Sequence, residues 1–326
     1  MKRIICLGNA LTDELVMLNS DELLNTLQLP KGSMQIIDTE RYLSIKKSIG
    51  KLRKKIAPGG SASNTCRGIA RLGGEAYFLG MVGSDDIGAI FEQEVRNSGA
   101  IPRLYHSTTP SGTALTFITP DGERTFATHL GAALEMTAQN LNEEIFDGTD
   151  ILHIEGYMLQ NHQLTETAIL MAKHCGLMVS MDLGSYNIVM ENLDFLKHIV
   201  THHVDIIFAN EEESRAFTGH EPAEALNDLA SICQIAVVKV GRNGSFVKSG
   251  ENVWQIGISE HKTVDTTGAG DFYAAGFLYG IAAGFDIPAA ANIGKLLSGN
   301  IVSVVGVRLS DKQWTKIRAD IAKGNI

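Results

Sequence analysis

Two apolar runs and the segment between them decide the fold class: Asp150-Ile151-Leu152-His153-Ile154-Glu155-Gly156, a helical periodicity from Leu164 to His174 closed by Gly176, and Leu177-Met178-Val179-Ser180-Met181-Asp182-Leu183. The flanking runs are apolar almost throughout, as strands covered on both faces are. The middle segment stops on glycine, as helices do. Strand, helix, strand predicts a parallel crossover. The rhythm extends outward through strands beginning at Arg3 (RIICLG), Glu75 (EAYFLGMVG), Val204 (VDIIFAN) and Ile235 (IAVVKVG), and a helix from Ser61 to Leu72 closed by Gly73-Gly74. The expected fold is α/β: a doubly wound, mainly parallel sheet flanked by helices.

With 326 residues, 44% hydrophobic and 20% charged, the composition is that of a globular protein and excludes disordered and fibrous classes. Lys plus Arg number 28 against 37 Asp plus Glu, a net charge of −9 that argues against nucleic acid as a partner. The one basic run, Lys46, Lys47, Lys51, Arg53, Lys54 and Lys55, reads as a solvated helical face. Cys6, Cys66, Cys175 and Cys233 have no metal-type spacing and read as reduced, mostly buried thiols of a cytoplasmic protein. The apolar runs Ile4–Leu7 and that starting at Phe272 are too short for a secretory or membrane-spanning segment, so no membrane role is expected.

Two stretches break the rhythm and read as antiparallel β elements: Glu14 to about Asp38, and Gly112 to His129 with a hairpin turn at Pro120-Asp121-Gly122. Together they predict a small β-sheet lid, inserted from about 14–56 and 110–130 into a single domain spanning 1–326.

The chemistry is concentrated in Thr263-Val264-Asp265-Thr266-Thr267-Gly268-Ala269-Gly270-Asp271, which runs into a helix of small residues from Phe272 to Gly284. Glycines before a helix leave its first N–H groups free at the positive end of the dipole, an anion site. Asp271 suits a helix cap, or a base beside a phosphate cradle. The alternatives fail on spacing: Tyr273 stands where a GxGxxG fingerprint needs its third glycine, no GxxxxGK[ST] occurs, and Gly60-Ser61-Ala62-Ser63 does not complete a nucleophile elbow. His198 and His202 have helical spacing without the glutamate of a zinc helix. A second Gly-Gly step, Ala57-Pro58-Gly59-Gly60-Ser61-Ala62-Ser63-Asn64, also precedes a helix and carries groups suited to a polyol.

Taken together, Gly59-Gly60 with Asn64 and Arg71-Leu72-Gly73, and Asp265 through Asp271, resemble the two signatures of the ribokinase-like (pfkB) carbohydrate kinases. The resemblance covers essentially the whole chain, including Gly8-Asn9 and Asp13, Asn210 through Glu213 as an NxxE, and Gly241 with Gly244. The long segment from Asp13 to Gly59 and the TPDGERTF hairpin are similar to the adenosine-kinase-like branch.

That resemblance implies ATP and Mg²⁺ as cofactors. Asp271 would be the base, with the backbone of Gly268, Ala269 and Gly270 as the anion hole. Asn210 and Glu213 would act on Mg²⁺ through water; alone they read as an acidic helix start. Gly241 and Gly244, with Thr267, would face the nucleotide; alone the two glycines read as a tight turn. Asp13, Gly60, Asn64 and Glu155 would hold the acceptor, and Arg124 would swing from the lid towards the phosphates. Asp265 and Thr267 match a monovalent-cation (K⁺) site, although the loop reads Gly306-Val307-Arg308-Leu309-Ser310 where Gly-Ala is expected. The expected activity is phosphorylation of a hydroxyl of a sugar or nucleoside, with adenosine as one specific acceptor. A catalytically silent sensor on the same fold and a nucleotide-dependent oxidoreductase are the rival classes. A homodimer paired lid to lid would cover an apolar face of the small sheet.

Overall fold

The computed structural model describes residues 1–50 and 52–326, so Lys51 of the basic run lies outside the described residues. In chain order the strands are β1 (Ile4–Leu7), β2 (Leu11–Met17), β3 (Met34–Ile36), β4 (Lys54–Pro58), β5 (Ala76–Gly83), β6 (Ile101–Ser107) and β7 (Gly112–Ile118). They continue as β8 (Arg124–His129), β9 (Ile151–Glu155), β10 (Met178–Asp182), β11 (Ile206–Asn210), β12 (Ile235–Lys239), β13 (Ser245–Ser249) and β14 (Asn252–Ile256). Among the described residues, nine form one sheet in the order β14-β13-β12-β11-β10-β9-β1-β5-β6 and five form a second in the order β3-β8-β7-β2-β4. From β12 to β6 every pairing in the large sheet is parallel; the β12–β13 and β13–β14 pairs are antiparallel.

The central strands are sealed on both sides. Along β1, Ile4 and Cys6 enter one apolar layer while Ile5 and Leu7 enter the other, the period-2 alternation of a strand covered by helices on both faces. The first layer holds the helices Ser61–Leu72, Ala269–Ala283 and Ile287–Ile301. Small residues let these three approach closely: a Cβ on Gly68 would lie 2.7 Å from Ala275 Cβ, and one on Gly276 would lie 2.6 Å from the Ile293 carbonyl. Among the described residues no helix is long and apolar enough to cross a membrane.

The six strands expected from apolar runs are present, and β6, β13 and β14 join them. β6 is an edge strand, half exposed, with Pro102 at its second position, where a missing N–H is tolerated and no apolar run is needed. The helix expected from Phe272 begins one turn earlier, at Ala269, because Gly268 takes the left-handed conformation that starts it.

The small sheet is mixed rather than antiparallel: β2–β4 and β7–β8 are antiparallel, whereas β2–β7 and β3–β8 are parallel. The Glu14–Asp38 stretch holds a helix, Glu22–Thr26, between its strands, and β2 and β7 are joined through much of the large domain, so parallel pairing is sterically open. The helical-face reading of the basic run holds for Lys46 and Lys47 on the helix Thr39–Ser48, but Lys54 and Lys55 lie on β4. Lys46 and Lys54 both pair with the buried Glu14. That helix and Glu22–Thr26 pack Tyr42, Ile45 and Leu24 onto Val16, Leu115 and Phe117. One apolar face of the small sheet is thus covered by this chain itself. Cys6, Cys66 and Cys233 are free and buried, and Cys175 is free and exposed.

Candidate active site

In a doubly wound sheet the polar groups that close apolar strands gather at the carboxyl edge. Here Asn9 follows β1, and Glu155, Asp182, Asn210 and Lys239 end β9, β10, β11 and β12. Asp182, Asn210 and Lys239 line one cleft of about 580 Å³ with Gly268, Gly270 and Asp271. The N-terminus of the helix Ala269–Ala283 points into it.

Gly268 has φ +74°, and a Cβ there would meet Val307 Cγ1 at 2.6 Å, so only glycine fits without strain. Thr267 N–H donates to Asp265 Oδ1 at 3.1 Å and Ala269 N–H to the Thr266 carbonyl at 3.1 Å. Among the described residues, the N–H groups of Gly268, Gly270 and Asp271 have no protein acceptor. The free donors are therefore Gly268, Gly270 and Asp271, while the expected Ala269 donor is turned back into its own loop.

Asp271 sits on the same turn. Ser61 Oγ donates to its Oδ1 at 2.7 Å and Asn64 Nδ2 to its Oδ2 at 2.8 Å. Burial pushes its carboxyl up to about 6; the two hydrogen bonds and Lys239 oppose this, and Asp182 reinforces it. Lys239 and Asp182 form an ion pair at 2.7 Å, and a Cβ on Gly270 would lie 3.0 Å from Lys239 Nζ. Burial alone would lower the Lys239 pKa, but Asp182 and Glu213 raise it, so the ammonium stays charged against the cradle. Sequence reasoning missed this pair. Its signal was an acid and a lysine closing the strands that begin at Met178 and Ile235.

Asn210 and Glu213 form a capping box. Asn210 N–H and Nδ2 donate to the two Glu213 oxygens at 2.8 and 2.7 Å, and Glu213 N–H returns to Asn210 Oδ1 at 2.8 Å. Burial, then Asp182, pushes Glu213 up to about 7. Among the described residues no three His, Cys, Asp or Glu side chains close on one point.

Beside this cleft, across Lys239 and Gly270, opens a cavity of about 420 Å³ lined by Gly241, Gly244, Ile258, His261, Tyr273 and Val302. Gly244 has φ +90°, and a Cβ there would fall 1.9 Å from the Ile256 carbonyl. The far wall mixes the apolar Ile258 and Val302 with Ser259, His261, Lys295 and Ser298, from a loop and a helix end that no spacing rule marks.

The remaining expected residues divide. Asp13 packs on Gly59, where a Cβ would meet its Oδ1 at 2.7 Å; among the described residues no donor reaches its carboxylate, which burial pushes up to about 7. Gly60, at φ +79°, caps the helix that carries Ser61 and Asn64. Glu155 is 1% exposed and accepts Asn9 N–H at 2.8 Å, Asn9 Nδ2 at 3.0 Å and Ala62 N–H at 2.7 Å, which ties β1 to the helix start. At the expected K⁺ site, Asp265 accepts from Thr267 N–H, Thr267 Oγ1, Gly306 N–H and Arg124 Nη2. His202 Nδ1 contacts the His198 carbonyl at 2.7 Å, and among the described residues the pair joins no group of three metal-ligating side chains.

Known proteins share this fold. A probable sugar kinase from Rhizobium etli is 30% identical, with a TM-score of 0.87 over 100% of this chain and 99% of that one. The adenosine kinase from Sinorhizobium meliloti is 30% identical, with a TM-score of 0.86 over 98% of this chain and 99% of that one. A nucleoside kinase from Methanocaldococcus jannaschii is 26% identical over 100% of this chain and 99% of its own length. Residues 37–314 match the model of the pfkB family carbohydrate kinases, and the chain belongs to that family of sugar and nucleoside kinases.

Proposed function

We propose that this protein transfers the γ-phosphoryl group of ATP to a primary hydroxyl of a nucleoside or sugar, with Asp271 as the general base. The observation that carries this reading is the pairing, on one helical turn, of the unpartnered N–H groups of Gly268 and Gly270 with a carboxylate held by Ser61 and Asn64. The nucleotide lies in the cavity bounded by Gly241 and Gly244, with its phosphates passing Lys239. The acceptor lies against Asp13, Gly60 and Asn64, beneath the lid. Asp271 takes the hydroxyl proton as the oxygen attacks in line, and the N–H groups meet the charge that develops on the transferring oxygens. Asn210 and Glu213 would hold Mg²⁺ through water; that ion, when bound, neutralises phosphate charge. Closure of the lid excludes water, which would otherwise compete as acceptor.

Adenosine is the specific acceptor favoured by the full-length likeness to an adenosine kinase and a nucleoside kinase and by the long lid insert. An ADP-release assay over a panel of nucleosides and sugars tests both levels. Acceptor-dependent ADP release is expected, strongest with adenosine. Turnover confined to a hexose would discard adenosine, and no acceptor-dependent release from any member would discard the kinase reading.

A further inference from the structure

Arg67 is 7% exposed, and among the described residues no carboxylate lies within ion-pair distance of it; Glu94 and Asp13 act on it only through space. Buried guanidinium groups are rare without a carboxylate because desolvation is so costly. What it holds instead is Asn64, one turn earlier on the same helix: Arg67 Nη2 donates to Asn64 Oδ1 and Nε to Ser63 Oγ at 3.3 Å. Asn64, 5% exposed, then donates from Nδ2 to Asp271 Oδ2 at 2.8 Å.

We propose that Arg67, which does not itself line the substrate cleft, positions the general base by locking the side-chain amide of Asn64 in one orientation. This rests on the reading of Asp271 as base. A guanidinium only donates and an ionised carboxylate only accepts, so an amide between them has a single orientation, Oδ1 to Arg67 and Nδ2 to Asp271. The lock matters after proton transfer. Once Asp271 carries the hydroxyl proton, an unlocked amide could turn Oδ1 towards it and trap the protonated acid. With Arg67 in place the protonated carboxyl meets only a donor at Oδ2, and release of the proton is favoured. Asp13 on β2, Glu155 on β9, Asp182 on β10, Glu213 beyond β11 and Lys239 on β12 also act on Asp271, but none of them touches the amide. A separate cleft of about 280 Å³, lined by Arg71, Glu94, Arg308 and Trp314 but not by Asp271, reaches Arg67 and is wide enough for water on its remaining donors.

A double-mutant cycle tests this. Arg67→Met should lower kcat about 10- to 100-fold with the nucleotide KM unchanged, and the acid limb of the rate profile should move to higher pH. Because both act through one amide, Asn64→Ala with Arg67→Met should fall within about twofold of Asn64→Ala alone. Arg67→Lys, which also only donates, should recover most of kcat. Should Arg67→Met fail to fold, the decision rests on Arg67→Lys and on Asn64→Asp, which keeps the arginine partnered but takes the donor away from Asp271; a large loss of kcat at unchanged melting temperature is expected of the latter. Losses that multiply in the cycle, or Arg67→Lys as inactive as Arg67→Met, would overturn the lock. An active Asp271→Asn enzyme would instead overturn the base, so the two failures are distinct.

Discussion

Arg124, the first residue of β8, reaches out of the lid to donate Nη2 to Asp265 Oδ2 at 2.9 Å and Nη1 to Thr267 Oγ1 at 3.1 Å. The small sheet is thereby latched to the loop that presents Gly268 and Gly270. A bidentate guanidinium between partly buried partners is worth more than an exposed ion pair. Arg124→Met should loosen β7 and β8 selectively. Faster amide exchange confined to 112–129, with a several-fold rise in acceptor KM, is the expected outcome; unchanged exchange would show that the latch does not hold the lid.

Asp271→Asn should fold normally and lose about 10²- to 10⁴-fold in kcat, the usual share of a general base. Near-normal turnover would remove the assignment.

The raised Asp271 carboxyl sets opposite pH trends for rate and stability. Turnover needs the ionised base, so kcat/KM should fall as pH drops through about 6. The protonated form is the one favoured in the folded protein, so its stabilisation is fully present below the ordinary value of 3.8 and is lost as pH rises through about 6. Asn mimics the neutral form. The melting temperature of Asp271→Asn relative to the native protein should therefore be higher at pH 8 than at pH 5, and a constant difference in scanning fluorimetry would contradict the raised value.

Lys239→Met should raise the ATP KM and leave the acceptor KM little changed, because Lys239 borders both the nucleotide cavity and the cleft at Gly270. Asp182 is left without its cation, a buried charge that costs stability of about 3 kcal/mol or more, so a lowered melting temperature should accompany the kinetic change.

Gly68→Ala should destabilise by about 1–3 kcal/mol, since its methyl would enter the Ala275 contact between the helices that carry Asn64 and Asp271. Denaturant unfolding checks this; an unchanged midpoint would mean that the helices can separate freely.

Local chemistry made much of this legible in the chain alone. The apolar runs at Arg3, Asp150 and Val204 announce buried strands because a strand covered on both faces tolerates no polar alternation. The Gly268–Asp271 segment announces an anion site because its glycines and helix start act within a few residues. Tertiary structure decided what depends on residues distant in sequence. Asp182 and Lys239 meet only because β10 and β12 flank β11 in the sheet; Glu155 is enclosed only because the turn at Asn9 and the helix start at Ala62 converge on it. Asp265 meets the Arg124 guanidinium only because the small sheet brings it across 141 positions of chain. A sequence pattern records the conformational preferences of neighbours, whereas partner choice among buried charges is settled by the packing that removes water from them.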